Sequence, residues 1–319
     1  MKLKSLLLII LGVTITLTSC KKKDPEVPNT PVGSQPGASA SQLINFFAGN
    51  NTAAKQNFTI TASSPALITG NKGTTLQFYA NSFENGAGSS ITGNVDIELI
   101  EIYGKKDMLF LNKQTLGDNN GILSPLISGG EFKVTASQGG NEVYLKQGYS
   151  YIAKVPTSTV DLNMEVFYQN SISDDTLTWS QNDTAEIWGD TINNPQYNVN
   201  FGSLGWVNCD YFMNQQNQTS VSVDVPDGFS GTNCGVFVSF DGYNSLTSIY
   251  NYSNGVFNTG TYYTIPQGLA VHFIVLAFIN NVPHTAIVPA TITANHIEII
   301  SALTATTLAQ LAIDIQNLP

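Results

Sequence analysis

Short runs rich in Val, Ile, Tyr and Phe, punctuated by Gly, Asn, Ser and Thr, recur along most of this chain, and this texture constrains its fold more than any other feature. Each run has the length of one strand, and each interruption carries turn chemistry. "TTLQFYANSF" (74–83), "GNVDIELIEIY" (93–103), "GEFKVTAS" (130–137), "NEVYLKQ" (141–147) and "YIAKVP" (151–156) read as strands, with "DNNG" (118–121) and "QGG" (138–140) as turns. In the second run Val95, Ile97, Leu99 and Glu101 alternate with Asp96, Glu98, Ile100 and Ile102, so one face begins polar and ends apolar. That pattern suits a strand passing from an edge into a core. A second set follows: "YNVNFGSLGWVNCDYF", "TSVSVDVP", "CGVFVSFDGY", "YYTIPQG" and "LAVHFIVLAFINN". The chain closes on 304–318, where Leu308, Leu311, Ala312, Ile315 and Leu318 fall at helical spacing behind Thr306 or Thr307 as a cap. The expected fold is therefore all-β, two β-sandwich-like domains with a short C-terminal helix. The expected divisions are a module over 49–157, a polar bridging segment over 158–200 and a second β-rich module over 201–319. About 270 residues suffice for two such cores.

Charge excludes several functions. All 13 basic residues are lysines, and the last is Lys154. Residues 155–319 hold 13 acids and no Lys or Arg, a formal charge of −13. Nucleic acid needs clustered cations to displace counterions, so it is not an expected partner. Arginine fingers, phosphate clamps and a P-loop lysine are absent from the same half.

The N-terminus reads as a processing signal. Lys2 and Lys4 precede an apolar run over 5–16, too short to span a bilayer comfortably, which ends in "LTSC" at 17–20. This resembles the bacterial lipobox. The resemblance implies cleavage after residue 19 and lipidation of Cys20, with several acyl chains holding the mature chain to a membrane. Without residues 1–19 the side chains sum to 11 lysines against 23 acids, or −12. The Pro-, Gly- and Ser-rich sequence after Cys20 reads as a flexible tether over 20–48. Lys21 departs from the aspartate that often retains lipoproteins in the inner membrane, so an outer-membrane lipoprotein is expected, on either face.

"LQFYANSFENGAGSSITGNVDIELIEI" (76–102), Met108, "GILSPLISGGEFKVTAS" (121–137) and "YIAKVP" together resemble the ZU5-like and carboxypeptidase-regulatory-like β-sandwich modules of Bacteroidetes envelope lipoproteins. "GWVNCD" (205–210) resembles a segment that opens the C-terminal part in the same group. The resemblance implies a fold and no common catalytic set.

Candidate chemistry is sparse. Cys209 and Cys234 are an even pair in an oxidising compartment and are expected to form a disulfide, worth about 3 kcal/mol by loop closure, with two buried thiols as the alternative. A thiol nucleophile would need a base and a depressed pKa, and Asp210 acts in the opposite sense. His272, His284 and His296 are spaced twelve apart and would form a zinc site if neighbouring strands aligned them; core and edge histidines are the commoner outcome. Asp174, Asp175, Asp183, Glu186 and Asp190 offer oxygens to Ca2+, but without any calcium-loop spacing, so no cofactor is expected. "DTL", "DTA" and "DTI" resemble the Bacteroidetes O-glycosylation sequon at Thr176, Thr184 and Thr191. Tyr243, Tyr250, Tyr252 and Tyr262 lie in an aromatic, amide-rich stretch (240–263) of the kind that stacks on saccharides. No GxSxG, HExxH, GxGxxG or P-loop pattern occurs. The expectation is a non-enzymatic envelope lipoprotein with a binding or assembly role and a protein or neutral glycan as partner. A glycan-binding lipoprotein and a metal-dependent hydrolase are the alternatives.

Overall fold

In a computed structural model, 50% of residues lie in strands and 11% in helices, so the chain is all-β. The structure describes residues 37–171, 177–182, 185–191, 195–213 and 217–319. Cys20, Thr176, Thr184, Asp174, Asp175 and Asp183 lie outside these residues.

Two sandwiches make up the molecule. In the first, one sheet runs β1 (Gln56–Thr61), β5 (Asn94–Ile102), β7 (Ile122–Gln138), β14 (Gly205–Phe212), β10 (Glu165–Gln169), β11 (Trp179–Gln181) and β6 (Leu116–Asn119), extended by β8 (Asn141–Leu145) and β4 (Phe83–Asn85). β6 also pairs with the start of β7, so five of these strands close into a ring without an edge. Facing it are β12 (Ile187–Asp190), β13 (Gln196–Phe201), β9 (Tyr151–Pro156), β3 (Thr75–Phe78) and β2 (Ala66–Thr69). Phe78, Phe132, Tyr151, Val207 and Phe201 are among the fully buried side chains between the two sheets.

The second sandwich sets β18 (Leu246–Ser248), β17 (Cys234–Phe240), β22 (Ala270–Ile279), β23 (Val282–Thr291) and β25 (Thr304–Ala305) against β19 (Asn251–Ser253), β20 (Val256–Asn258), β16 (Val221–Asp224) and β24 (His296–Ile299). A short ribbon of β15 (Gln218–Thr219) and β21 (Ile265–Pro266) adjoins it. Val236, Phe240, Phe257, Phe273 and Val275 fill this core.

A third core joins the two. It collects the outer face of the first large sheet (Ile100, Ile102, Phe167, Trp206), the opposite face of the second sandwich (Phe237, Leu246, Ile274, Leu276, Phe278) and three helices. These are α1 (Ala40–Ala53), α2 (Lys105–Leu111) and α3 (Leu308–Gln316). Strand β5 shows why its sequence changes character: Asp96 and Glu98 keep solvent contact, while Ile100 and Ile102 on the same face enter this seam. α3 begins where its spacing predicts, with Thr307 Oγ1 accepting from Gln310 N at 3.1 Å and Leu311 and Ile315 fully buried.

Three divisions read from the sequence are corrected. The tether does not reach residue 48, because α1 starts at Ala40, capped by Ser39, and buries Leu43 and Phe46. Phe46 packs its ring on Phe110 and Phe278, at 5.2 and 5.3 Å between centroids, and that contact orders the helix. The 158–200 segment is not a separate bridge, since β10 to β13 complete both sheets of the first sandwich. β14 likewise belongs there, between β7 and β10, so residues 205–212 close the first module where the sequence suggested they open the second.

Candidate functional site: a groove under helix α1

The site is built where β7 and β14 pair. Gly129 and Gly130 form a bulge in β7, and the ladder shifts register between Asn208 and Asp210. Gly130 sits at φ +138°, and a Cβ there would lie 2.3 Å from Tyr103 Cε1, so only glycine fits. Alternation then divides β14: Val207 and Cys209 point into the first core, and Trp206 joins the seam. Trp206 stands opposite Lys133 and Asn208 opposite Glu131.

On the seam side polar groups are sealed from water. Glu131, Asn208 and Asp210 have no exposed surface. Asn208 Nδ2 donates to Asp210 Oδ2 at 2.5 Å, and Ser128 Oγ donates to Asn208 Oδ1 at 3.3 Å. Both Glu131 oxygens and Asp210 Oδ1 lack hydrogen-bond partners. Burial pushes both carboxyls well above the usual range; Asp210 adds to the effect at Glu131 and Lys113 opposes it, while hydrogen bonds from Ser128, Asn208 and Gly129 oppose it at Asp210.

Lys113 reaches this place through a helix stop. Asn112 takes the left-handed conformation after α2, and Lys113 N donates to Met108 O at 2.8 Å, the pattern of a Schellman C-cap. The ammonium groups of Lys113 and Lys133 each lie 5.5 Å from the Trp206 ring centroid. Trp206 is 2% exposed, and its Nε1–H makes no hydrogen bond to the described residues.

Above this floor opens a groove of about 800 Å3. α1 supplies Leu43, Ile44, Phe47 and Ala48 as one wall, and Val236, Phe237, Tyr250 and Phe257 of the second sandwich supply the other. Lys55, Glu98, Lys113, Lys133 and Trp206 line its base and rim. Asn51 Nδ2 donates to Leu111 O at 2.8 Å and Ser39 N to Phe278 O at 2.8 Å, so the helical wall is tied to both halves. The volume falls in the range of small-molecule pockets.

The residues singled out from the sequence are dispersed. Cys209 and Cys234 are free thiols in different cores, not a disulfide: β14 and β17 belong to different sandwiches. Burial raises both, Cys234 to about 12, which removes the thiolate a nucleophile needs. The histidines do not converge. His272 and His284 are in paired strands but five rungs apart, since His284 stands opposite Ala277. His296 stacks on Phe273, which points to the opposite face of β22 from His272, and no set of three metal-ligating side chains forms among the described residues. Glu186 is exposed and Asp190 half-buried, and neither joins a metal-ligating set there. The tyrosines share no face: Tyr250 lines the groove, Tyr252 packs on Phe257, Tyr262 is exposed, and Tyr243 borders a separate hollow of about 740 Å3. Thr191 is exposed just beyond β12.

A Ser-His-Asp grouping that no motif announced also fails as a catalytic set. His272 Nδ1 lies 2.8 Å from Asp241 Oδ1, and Ser239 stands opposite His272 in the ladder. Ser239 Oγ, however, makes no hydrogen bond and has no exposed surface, so it has neither a proton acceptor nor a path to substrate. Glu131, Lys113 and Lys133 were missed for a different reason. Each is a single charge in a strand or turn, and only the pairing of β7 with β14 and the α2 stop bring them to Trp206. No family model matches this chain, and no curated protein is significantly similar to it.

Proposed function

We propose that this protein is an envelope lipoprotein, anchored through Cys20 at the outer membrane, that binds a ligand in the groove under α1 and catalyses nothing. The observation that carries the binding reading is the groove itself: about 800 Å3, walled by apolar side chains from α1 and β17 and floored by Trp206 between two lysines. A site that is mostly apolar with a few placed polar groups is the usual form of a small-molecule pocket. Burial raises the Cys209 and Cys234 thiols and seals Ser239, so none of these three is a ready nucleophile. The lipobox-like "LTSC" supports the anchor, and mass spectrometry of envelope-derived protein checks it: an acylated N-terminal peptide is expected, and an unmodified Cys20 would refute it.

Binding is tested with the full mature chain carrying Cys20→Ser, which needs no detergent, and Nile red, an uncharged dye that brightens in apolar surroundings. Saturable uptake is expected. Ala48→Trp, which fills the groove from an exposed helix position, should abolish it while leaving the far-UV circular dichroism unchanged. Equal uptake by both proteins would sink the proposal.

A further inference from the structure

We propose that the separate hollow of about 740 Å3 is a second binding site, independent of the groove under α1, and that it takes a neutral oligosaccharide. The closed ring of strands builds it. β6, β11 and β14 finish at one end of that ring, where β10 begins. All five strands supply lining residues there: Asn119 from β6, Ile127 from β7, Phe212 from β14, Glu165 from β10 and Gln181 from β11. Asn119 and Gln181 come together because β11 pairs with β6 and completes the circuit. Phe212 plugs the strands from below. Its phenyl group packs edge to face on Phe167 at 5.5 Å, and a Cβ on Gly117 of β6 would lie 3.0 Å from it. The result is a mouth with a floor, a common ligand position in closed sheets.

The lining chemistry selects the ligand. Asn119, Asn163, Glu165 and Gln181 are exposed, and the side chains of Glu165 and Gln181 make no hydrogen bond to the described residues. Asn163 Nδ2 donates to Asp161 Oδ1 at 2.8 Å, which holds that amide at the rim with its own oxygen still open. Amides and a carboxylate together donate to and accept from hydroxyl groups. Tyr211, Phe212 and Tyr243 are half-buried, so each aromatic group keeps part of its surface for the C–H face of a sugar. Burial and the neighbouring Asp161 push the Tyr211 hydroxyl up to about 12, so it stays protonated. No lysine lines the hollow and the chain has no arginine, so an anion would meet Glu165 without a counter-charge. An apolar ligand would strip water from three amides and a carboxylate.

Isothermal titration of the full mature chain carrying Cys20→Ser tests the site, with laminarihexaose, xylohexaose, mannohexaose and the anionic hexagalacturonate as probes. At least one neutral probe should bind with saturable heat, and hexagalacturonate about tenfold more weakly or not at all. Gln181→Ala with Glu165→Ala, both at exposed positions, should weaken the neutral probe about tenfold, and Tyr243→Ala several-fold. Asn163→Trp, which fills the mouth from an exposed loop position, should abolish binding with far-UV circular dichroism unchanged. Binding by none of the three neutral probes, or undiminished binding in the Asn163→Trp protein, would overturn the proposal. Equal or tighter binding of hexagalacturonate would overturn the neutral ligand. Loss in Trp188→Ala, an indole 46% exposed outside the hollow, with full binding in Tyr243→Ala, would overturn the site. None of these outcomes depends on Nile red uptake, which reports on the groove alone.

Discussion

One strand, β14, faces two interiors that differ in kind. On its inner side Val207 and Cys209 meet an apolar core in which Phe132 and Phe201 pack edge to face at 5.5 Å. On its outer side lies a seam where Trp206, Asn208, Asp210 and Glu131 are equally dry but incompletely satisfied. The inner face is held mainly by dispersion and exclusion of water, with Tyr151 Oη buried there without a hydrogen-bond partner. The outer face leaves a donor and several carboxyl oxygens without partners in a sealed layer beneath the groove. The two faces thus differ in how fully their polar groups are satisfied.

The largest expected effect breaks the inner side. Phe132→Ala should lower unfolding free energy by about 3–5 kcal/mol in urea titrations, whereas Trp206→Phe, which removes the acceptorless N–H and keeps an aromatic ring, should cost under about 1.5 kcal/mol. If the two costs are alike, the contrast between the faces is wrong.

The next effect is pH dependence. Folded-state values of Glu131 and Asp210 are raised, so the folded chain holds these protons more tightly than the unfolded chain. Their contribution to stability is therefore complete at acid pH, below the ordinary values of 4.5 and 3.8, and is lost as pH rises above them. The slope approaches about 1.4 kcal/mol per pH unit for each group. Thermal melts from pH 4 to 8 should show a falling midpoint, and Glu131→Gln with Asp210→Asn should flatten the curve. A midpoint that rises with pH in the native chain would contradict the assignment.

Smaller and local is the cap of α1. Ser39→Ala removes the acceptor for Gln42 N and should cost about 1 kcal/mol, seen as faster tryptic cleavage after Lys55 with little change in global melting. Smallest of all is reduction. With Cys209 and Cys234 free in separate cores, dithiothreitol should leave the melting midpoint unmoved, where a bridge would have contributed about 3 kcal/mol.

The features legible in the sequence were those that depend on neighbours along the chain. Strand alternation in β5, the turns, and the capped periodicity of α3 are written within a dozen residues each. α1 was hidden because "LINFF" is a short apolar run among Asn, Gly and Ala, and its burial depends on Phe110 and Phe278 far along the chain. The placement of β14 was misjudged for the same reason: its ladder partners, β7 and β10, lie about 40 or more residues away. The groove was the least legible of all. It requires α1, the α2 stop, the Gly129–Gly130 bulge and the second sandwich together, and no local pattern encodes their meeting.

Hydrogen exchange with and without saturating Nile red tests the central claim most directly. The account predicts added protection in 40–53, 231–237 and 248–257, the segments that wall the groove. Protection centred instead on 162–165, 211–213 and 243, around the separate hollow, or no protection at all, would contradict it.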